Sequence, residues 1–144
     1  MRRLRGFTVL AFTVVAAIVV LCALAALPRR TVFSGGEKYT FYVGNTSKNC
    51  RVVSCRPAEA ELTRLTLREV CGESATFSSL DIDTFLEGVG GEILFKEEMD
   101  DSVNYYCAAD LPYFVELYGK TVNLHICVRE EGVTVGSPII FGGY

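Results

Sequence analysis

Hydrophobic and polar positions divide the chain into an apolar start, a helix-patterned middle and a β-patterned end. From Phe7 to Leu27 the run FTVLAFTVVAAIVVLCALAAL carries no charge, and it is flanked by MRRLRG before and by Pro28, Arg29 and Arg30 after. At about 1.5 Å of rise per residue a helix of that length spans roughly 30 Å, the thickness of a bilayer core. Three arginines and the terminal amine precede the run and two arginines follow it, a bias that predicts a cytoplasmic N-terminus. The pattern predicts a type II signal-anchor; a cleaved signal peptide with its cut near Ala23–Ala25 is the alternative. Either way residues 31–144 leave the cytosol. The expected organisation is a cytoplasmic tail at 1–6, a transmembrane segment at 7–27, a linker at 28–38, a folded ectodomain at 39–131 and an edge strand or loose tail at 132–144.

Beyond the linker, YTFYV at 39–43 is aromatic and β-branched and predicts a strand before the turn GNTSKN. Pro57 opens PAEAELTRLTLREVCG, where proline at the first position, strong helix formers inside and Gly72 at the end predict a helix. A strand competes there, because Leu65 and Leu67 alternate with polar neighbours. A second helix is expected in SSLDIDTFLEGVGG, with Ser79 as N-cap, Asp81 and Asp83 in the first turn, and Ile82, Phe85, Leu86 and Val89 at helical spacing. After Gly91 the texture is β: EILFKE, VNYYCAA, YFVELYG and KTVNLHICVRE, the last alternating Val122, Leu124, Ile126 and Val128 against polar residues. Strand, helix, helix and then several antiparallel strands predict an α+β fold with its helices segregated from its sheet.

Charge and cysteines sharpen the expectation of export. All 17 acidic residues follow position 30, with nine of the 14 Lys and Arg, a net of −8 over residues 31–144. That sign argues against nucleic acid as a partner. Cys50, Cys55, Cys71, Cys107 and Cys127 fall in the exported part, where disulfides are the default and an odd count leaves one thiol unpaired or bonded to another chain. Cys50 and Cys55 enclose only RVVS, a gap that a tight hairpin would bridge locally. Asn45-Thr46-Ser47 is an N-glycosylation acceptor.

Two folds compete for DDSVNYYCAADLP. Asp101, Tyr105 and Cys107 have the tyrosine-corner spacing of an immunoglobulin sandwich. The chain has no Trp, and two helix-like segments occupy its middle, which disfavours that reading. The stretch from Cys55 to Glu130, with SCRPAEAELTRLTLREVCGESATFSSLDIDTFLEGVG and LHICVRE, instead resembles a compact C-type lectin-like domain: two helices plus an antiparallel sheet. On a type II anchor it resembles two groups, the natural-killer-cell receptors with their ligands and the extracellular enveloped virion glycoproteins of poxviruses. The very small domain, six-residue tail and lost long loop are more similar to the viral group. The resemblance implies a Cys71–Cys127 bond, a local Cys50–Cys55 bond, and Cys107 as the unpaired or interchain cysteine. It departs from the family in lacking the Glu-Pro-Asn or Gln-Pro-Asp and Trp-Asn-Asp triplets of the calcium-dependent sugar site. The carboxylates of EEMDD, Glu97 to Asp101, read as a solvated loop, so calcium is not expected.

No catalytic constellation accompanies this frame. The single histidine, His125, shares its strand parity with Asn123 and reads as a satisfied or solvent-facing side chain. No phosphate loop, Gly-x-Ser-x-Gly elbow or zinc spacing occurs, so neither enzyme activity nor a cofactor is expected. Tyr105, Tyr106, Tyr113, Phe114 and Tyr118 cluster in sequence near Cys107 and form a candidate interface for a protein partner or a homodimer. The expectation is a membrane glycoprotein of a viral envelope that works by protein–protein contact. The alternative is a secreted or surface immune-modulating ligand with a lectin-like or immunoglobulin-like fold.

Overall fold

The computed structural model describes residues 2–25, 31–44 and 50–141, and the side chains of 12–23, 31–44 and 50–141. Asn45, the expected glycosylation position, lies outside the described residues. In chain order the elements are α1 (Arg2–Ala25), β1 (Lys38–Val43), β2 (Arg51–Cys55), α2 (Pro57–Thr66), β3 (Val70–Phe77), α3 (Ile82–Val89), β4 (Glu92–Glu98), β5 (Val103–Ala108), β6 (Val115–Leu117), β7 (Lys120–Val122), β8 (Leu124–Arg129) and β9 (Gly132–Ser137).

Seven strands form one antiparallel sheet in the order β2-β1-β3-β9-β8-β5-β4, and β6 pairs with β7 in a separate hairpin. The fold is therefore predominantly β, and the expected two-helix, C-type lectin-like α+β fold is corrected. It is not an immunoglobulin sandwich either, since one large sheet stands where two packed sheets are required. The decisive difference lies at 67–77. The predicted first helix stops at Thr66, and Glu69 turns the chain through a left-handed conformation (φ 56°). VCGESATF then runs as β3 in the middle of the sheet. Cys71 thus stands on a strand, not in a last helical turn. The β-branched Thr63 and Thr66 weaken the helix just before its end.

The second helix begins later than Ser79. Asp81 is its N-cap, accepting the Thr84 N–H at 2.8 Å, and Gly90 ends it at φ 61°. Residues 132–137, expected as an edge or tail, form an interior strand paired with both β3 and β8. The expected linker is also part of the fold where it is described. Phe33 is buried, and the backbone N–H groups of Val32 and Phe33 bond to Glu73.

Strand parity puts Tyr39, Phe41, Ala75, Phe77, Val133, Val135, Leu124, Ile126 and Cys107 on one face, where Ala60 of α2 and Leu86 of α3 pack against them. Each large apolar side chain buried there contributes about 1.5–3 kcal/mol. This one-sided cover leaves the opposite face for other uses.

Among the described residues no helix is long and apolar enough to cross a membrane. The expected signal-anchor at 7–27 and the single-pass type II placement are corrected on this finding.

Candidate functional site: the open face of the sheet

Alternation sends Lys38, Thr40 and Tyr42 of β1 to the face away from the helices. Register aligns them with Ser74 and Thr76 of β3, Thr134 of β9, Cys127 and Arg129 of β8 and Ser54 of β2. The Thr40 and Ser54 hydroxyls lie 3.0 Å apart, as do those of Tyr42 and Ser74. Burial and the Ser74 contact act in opposite senses on Tyr42, and burial wins, raising its pKa above the ordinary phenol value.

Residues 138–141 form a strap over the middle of this face. The Ile140 N–H donates to Nδ1 of His125 at 3.2 Å, and the Phe141 ring meets Tyr42 edge-on with centroids 5.0 Å apart. The strap divides the face into two hollows. The larger, of 310 Å³, is lined by Lys38, Thr40, Tyr42, Val52, Ser54, Ser74, Thr76, Cys127, Arg129, Thr134, Ile140 and Phe141. Its floor is hydroxyl-rich, and its two charged residues are both cations in a chain of net charge −3. The smaller, of 190 Å³, is lined by Glu97, Tyr106, Leu117, Tyr118, His125 and Ile139.

A column of rings supports the smaller hollow. Tyr106 stacks on His125 with centroids 4.5 Å apart, Phe95 stacks on Tyr106 at 4.6 Å, and Tyr118 meets Phe95 edge-on at 5.6 Å. The Tyr106 hydroxyl donates to Glu97 at 3.2 Å. His125 is fully buried. Its Nδ1 accepts from Ile140, so its Nε2–H donates to Asn104 Oδ1 at 3.0 Å. Burial pushes its pKa down to about 4, which keeps the ring neutral.

The β6–β7 hairpin projects beside this hollow. Tyr118 and Gly119 form its two-residue turn with φ of 51° and 72°, both left-handed, as the tightest hairpins require. Tyr118 is 84% exposed and Phe114, just before the hairpin, is 69% exposed. Lys120 donates to the Leu94 carbonyl at 3.1 Å and ties the hairpin to β4.

The expected aromatic interface is split. Tyr105 packs against the core face, Tyr106 joins the ring column on the opposite face, and Tyr113 accepts from Arg64 of α2 at 3.1 Å. Of the five, Phe114 and Tyr118 are exposed and the other three are half-buried. Cys107, expected as the unpaired or interchain cysteine, is fully buried on β5 opposite Leu124, and burial pushes its pKa up to about 11.

The cysteines of the two implied disulfides, Cys50–Cys55 and Cys71–Cys127, stand apart in the sheet, and all six cysteines are thiols here. Cys55 pairs with Tyr39 at one end of β2, while Cys50 precedes Arg51 at the other, because RVVS is an extended strand and not a turn. Five extended residues span roughly 16 Å, far beyond the 4.4–6.8 Å between Cα atoms that a bridge tolerates. Cys127 is level with Thr76 through Thr134, two strands from β3 and five residues along it from Cys71.

One ionisable group escaped sequence reasoning. Glu73 sits on the core face among Phe41, Ala75 and Phe77 and is fully buried. Its Oε1 accepts from Val32 at 2.7 Å and from Phe33 at 3.2 Å. Burial raises its pKa to about 7; those two N–H groups and nearby Arg64 pull it down, and Glu61 pushes it up. Its parity with Phe77 within GESATF was the available signal.

Comparison with protein families, with curated proteins and with solved structures gives no match.

Proposed function

We propose that the chain is a non-catalytic recognition module that binds a protein partner through the open face of its sheet. The observation that carries this reading is the larger hollow. A 310 Å³ depression floored by hydroxyls, with Lys38 and Arg129 as its charged groups, fits an acidic side chain presented by an extended segment of a partner. The exposed Tyr118 ring, which lines the smaller hollow, adds apolar contact area with a polar handle. The only histidine is committed to holding the strap, which leaves it no role as an acid or base.

The test is a titration of the full chain with a poly-glutamate peptide, followed by amide shifts in NMR, with poly-lysine as the control. Poly-glutamate is expected to move the amides of Thr40, Thr76 and Thr134 and to leave those of α3 in place. The double variant Lys38→Glu, Arg129→Glu is expected to weaken binding at least about tenfold, roughly 1.4 kcal/mol. Equal binding of both peptides, or shifts confined to other surfaces, would refute the reading.

A further inference from the structure

The end of β1 is flanked by two cysteines. On one side Val43 pairs with Arg51, which Cys50 immediately precedes. On the other side Val43 pairs with Val70, which Cys71 immediately follows, and the register shifts there by a bulge between Tyr42 and Val43. The Cys71 thiol donates to the Tyr42 carbonyl at 3.3 Å, and the Cys50 thiol adjoins it. Both residues are half-exposed, whereas Cys107 and Cys127 are buried. The ladder is already irregular at this point, so the backbone can shift slightly to bring two sulfurs into bonding distance without breaking regular pairing.

We infer that Cys50 and Cys71 are a thiol pair built to close into a disulfide, which staples the entry of β2 to β3 across the end of β1. The oxidant is an organic disulfide such as oxidised glutathione. One cysteine, as thiolate, attacks a sulfur of the oxidant, forming a mixed disulfide and expelling one thiolate. The second cysteine, as thiolate, then attacks the protein sulfur of that mixed disulfide and expels the other. Two protein thiols lose two electrons and two protons, one S–S bond forms in the protein, one S–S bond breaks in the oxidant, and two small thiols leave. The closed loop contains α2, so the bond constrains the unfolded chain from Cys50 to Cys71.

The test is made on the full chain in its native state. It is equilibrated with oxidised glutathione, free thiols are blocked with N-ethylmaleimide, and the digest is mapped by mass spectrometry without reduction. The expected product is one cross-linked peptide pair joining Cys50 to Cys71, lighter by two hydrogens than the reduced pair. Cys107 and Cys127 are expected to take up the blocking reagent only after denaturation. Cys50→Ser and Cys71→Ser are each expected to abolish the cross-link and to leave the remaining cysteine as a stable mixed disulfide with glutathione. Recovery of Cys50 or Cys71 bonded to any other cysteine, or of both fully alkylated after equilibration, would overturn the pairing. Neither outcome touches the binding test above, which depends on Lys38 and Arg129.

Discussion

The Glu73 carboxylate accepts the N–H of Val32 at 2.7 Å, so a buried acid on a central strand holds the segment that leads into the sheet. Burial lifts its pKa from 4.5 to about 7 in the fold. The folded state therefore binds a proton more tightly than the unfolded chain. Stability from this group is complete below about pH 4.5 and is lost as pH rises through about 7. The shift corresponds to roughly 3 kcal/mol. Glu73→Gln keeps an oxygen for Val32 and Phe33 and removes the titration. Urea midpoints at pH 5 and pH 8 are expected to differ less in the variant than in the parent chain, with the variant at least as stable at pH 8. An unchanged pH dependence would refute this account.

His125 acts in the opposite direction. Its Nδ1 accepts the Ile140 N–H, and a proton on that atom would turn an acceptor into a second donor facing the strap. Its pKa falls from 6.5 to about 4 on folding, so its contribution is present above about pH 6.5 and lost as pH falls through about 4. The acid limb is partly masked by Glu73, whose contribution grows over the same range. It is expected to stand out in Glu73→Gln, where stability falls steadily from pH 6.5 to pH 4. An NMR titration of the imidazole is expected to give a midpoint near 4, and a midpoint near 6.5 would contradict the burial of the ring.

Much of the sheet was legible because alternation is strong where one face is apolar. KTVNLHICVRE assigned Leu124 and Ile126 to one face and Asn123 and His125 to the other, and the strands follow that parity. The failures have a common cause. β3 and β9 are central strands whose covered face is partly filled by small or acidic residues, Glu73, Ala75 and Ser137, so their sequences read as a helix end and a tail. Which strand neighbours which depends on contacts distant in sequence, and local pattern carries no record of it. Cys71 was misplaced on a helix for the same reason, and it stands on β3. The hollow was invisible because Lys38 and Arg129, on β1 and β8, meet only through two intervening strands.

Glycine at 132 answers to sterics more than to turn preference. A Cβ there would lie 2.5 Å from the Phe77 carbonyl oxygen, and the residue sits at φ 148° where the β8–β9 hairpin enters β9. Gly132→Ala is expected to cost about 2–4 kcal/mol, because backbone must move against backbone. Gly90 also has a positive φ, 61°, yet a Cβ there meets nothing within 4 Å. Gly90→Ala is expected to cost only about 1–2 kcal/mol, the left-handed penalty alone. Thermal midpoints of the two variants test the contrast, and equal losses would remove the steric explanation.

Tyr118 separates fold from recognition. The left-handed conformation at φ 51° is costly for a large side chain, and the ring offsets little of that cost, being 84% exposed with a single edge contact to Phe95. Asparagine tolerates that conformation far better and forms the same two-residue turn with Gly119. Tyr118→Asn is therefore expected to leave the thermal midpoint unchanged or raise it slightly, within about 1 kcal/mol in stability. If the hairpin contributes to the proposed recognition face, the same variant weakens a partner's binding while the protein folds at least as well as before. A clear loss of stability would show instead that the ring is a structural brace for β4. The tyrosine would then be kept for the fold, and the hairpin tip would drop out of the recognition surface.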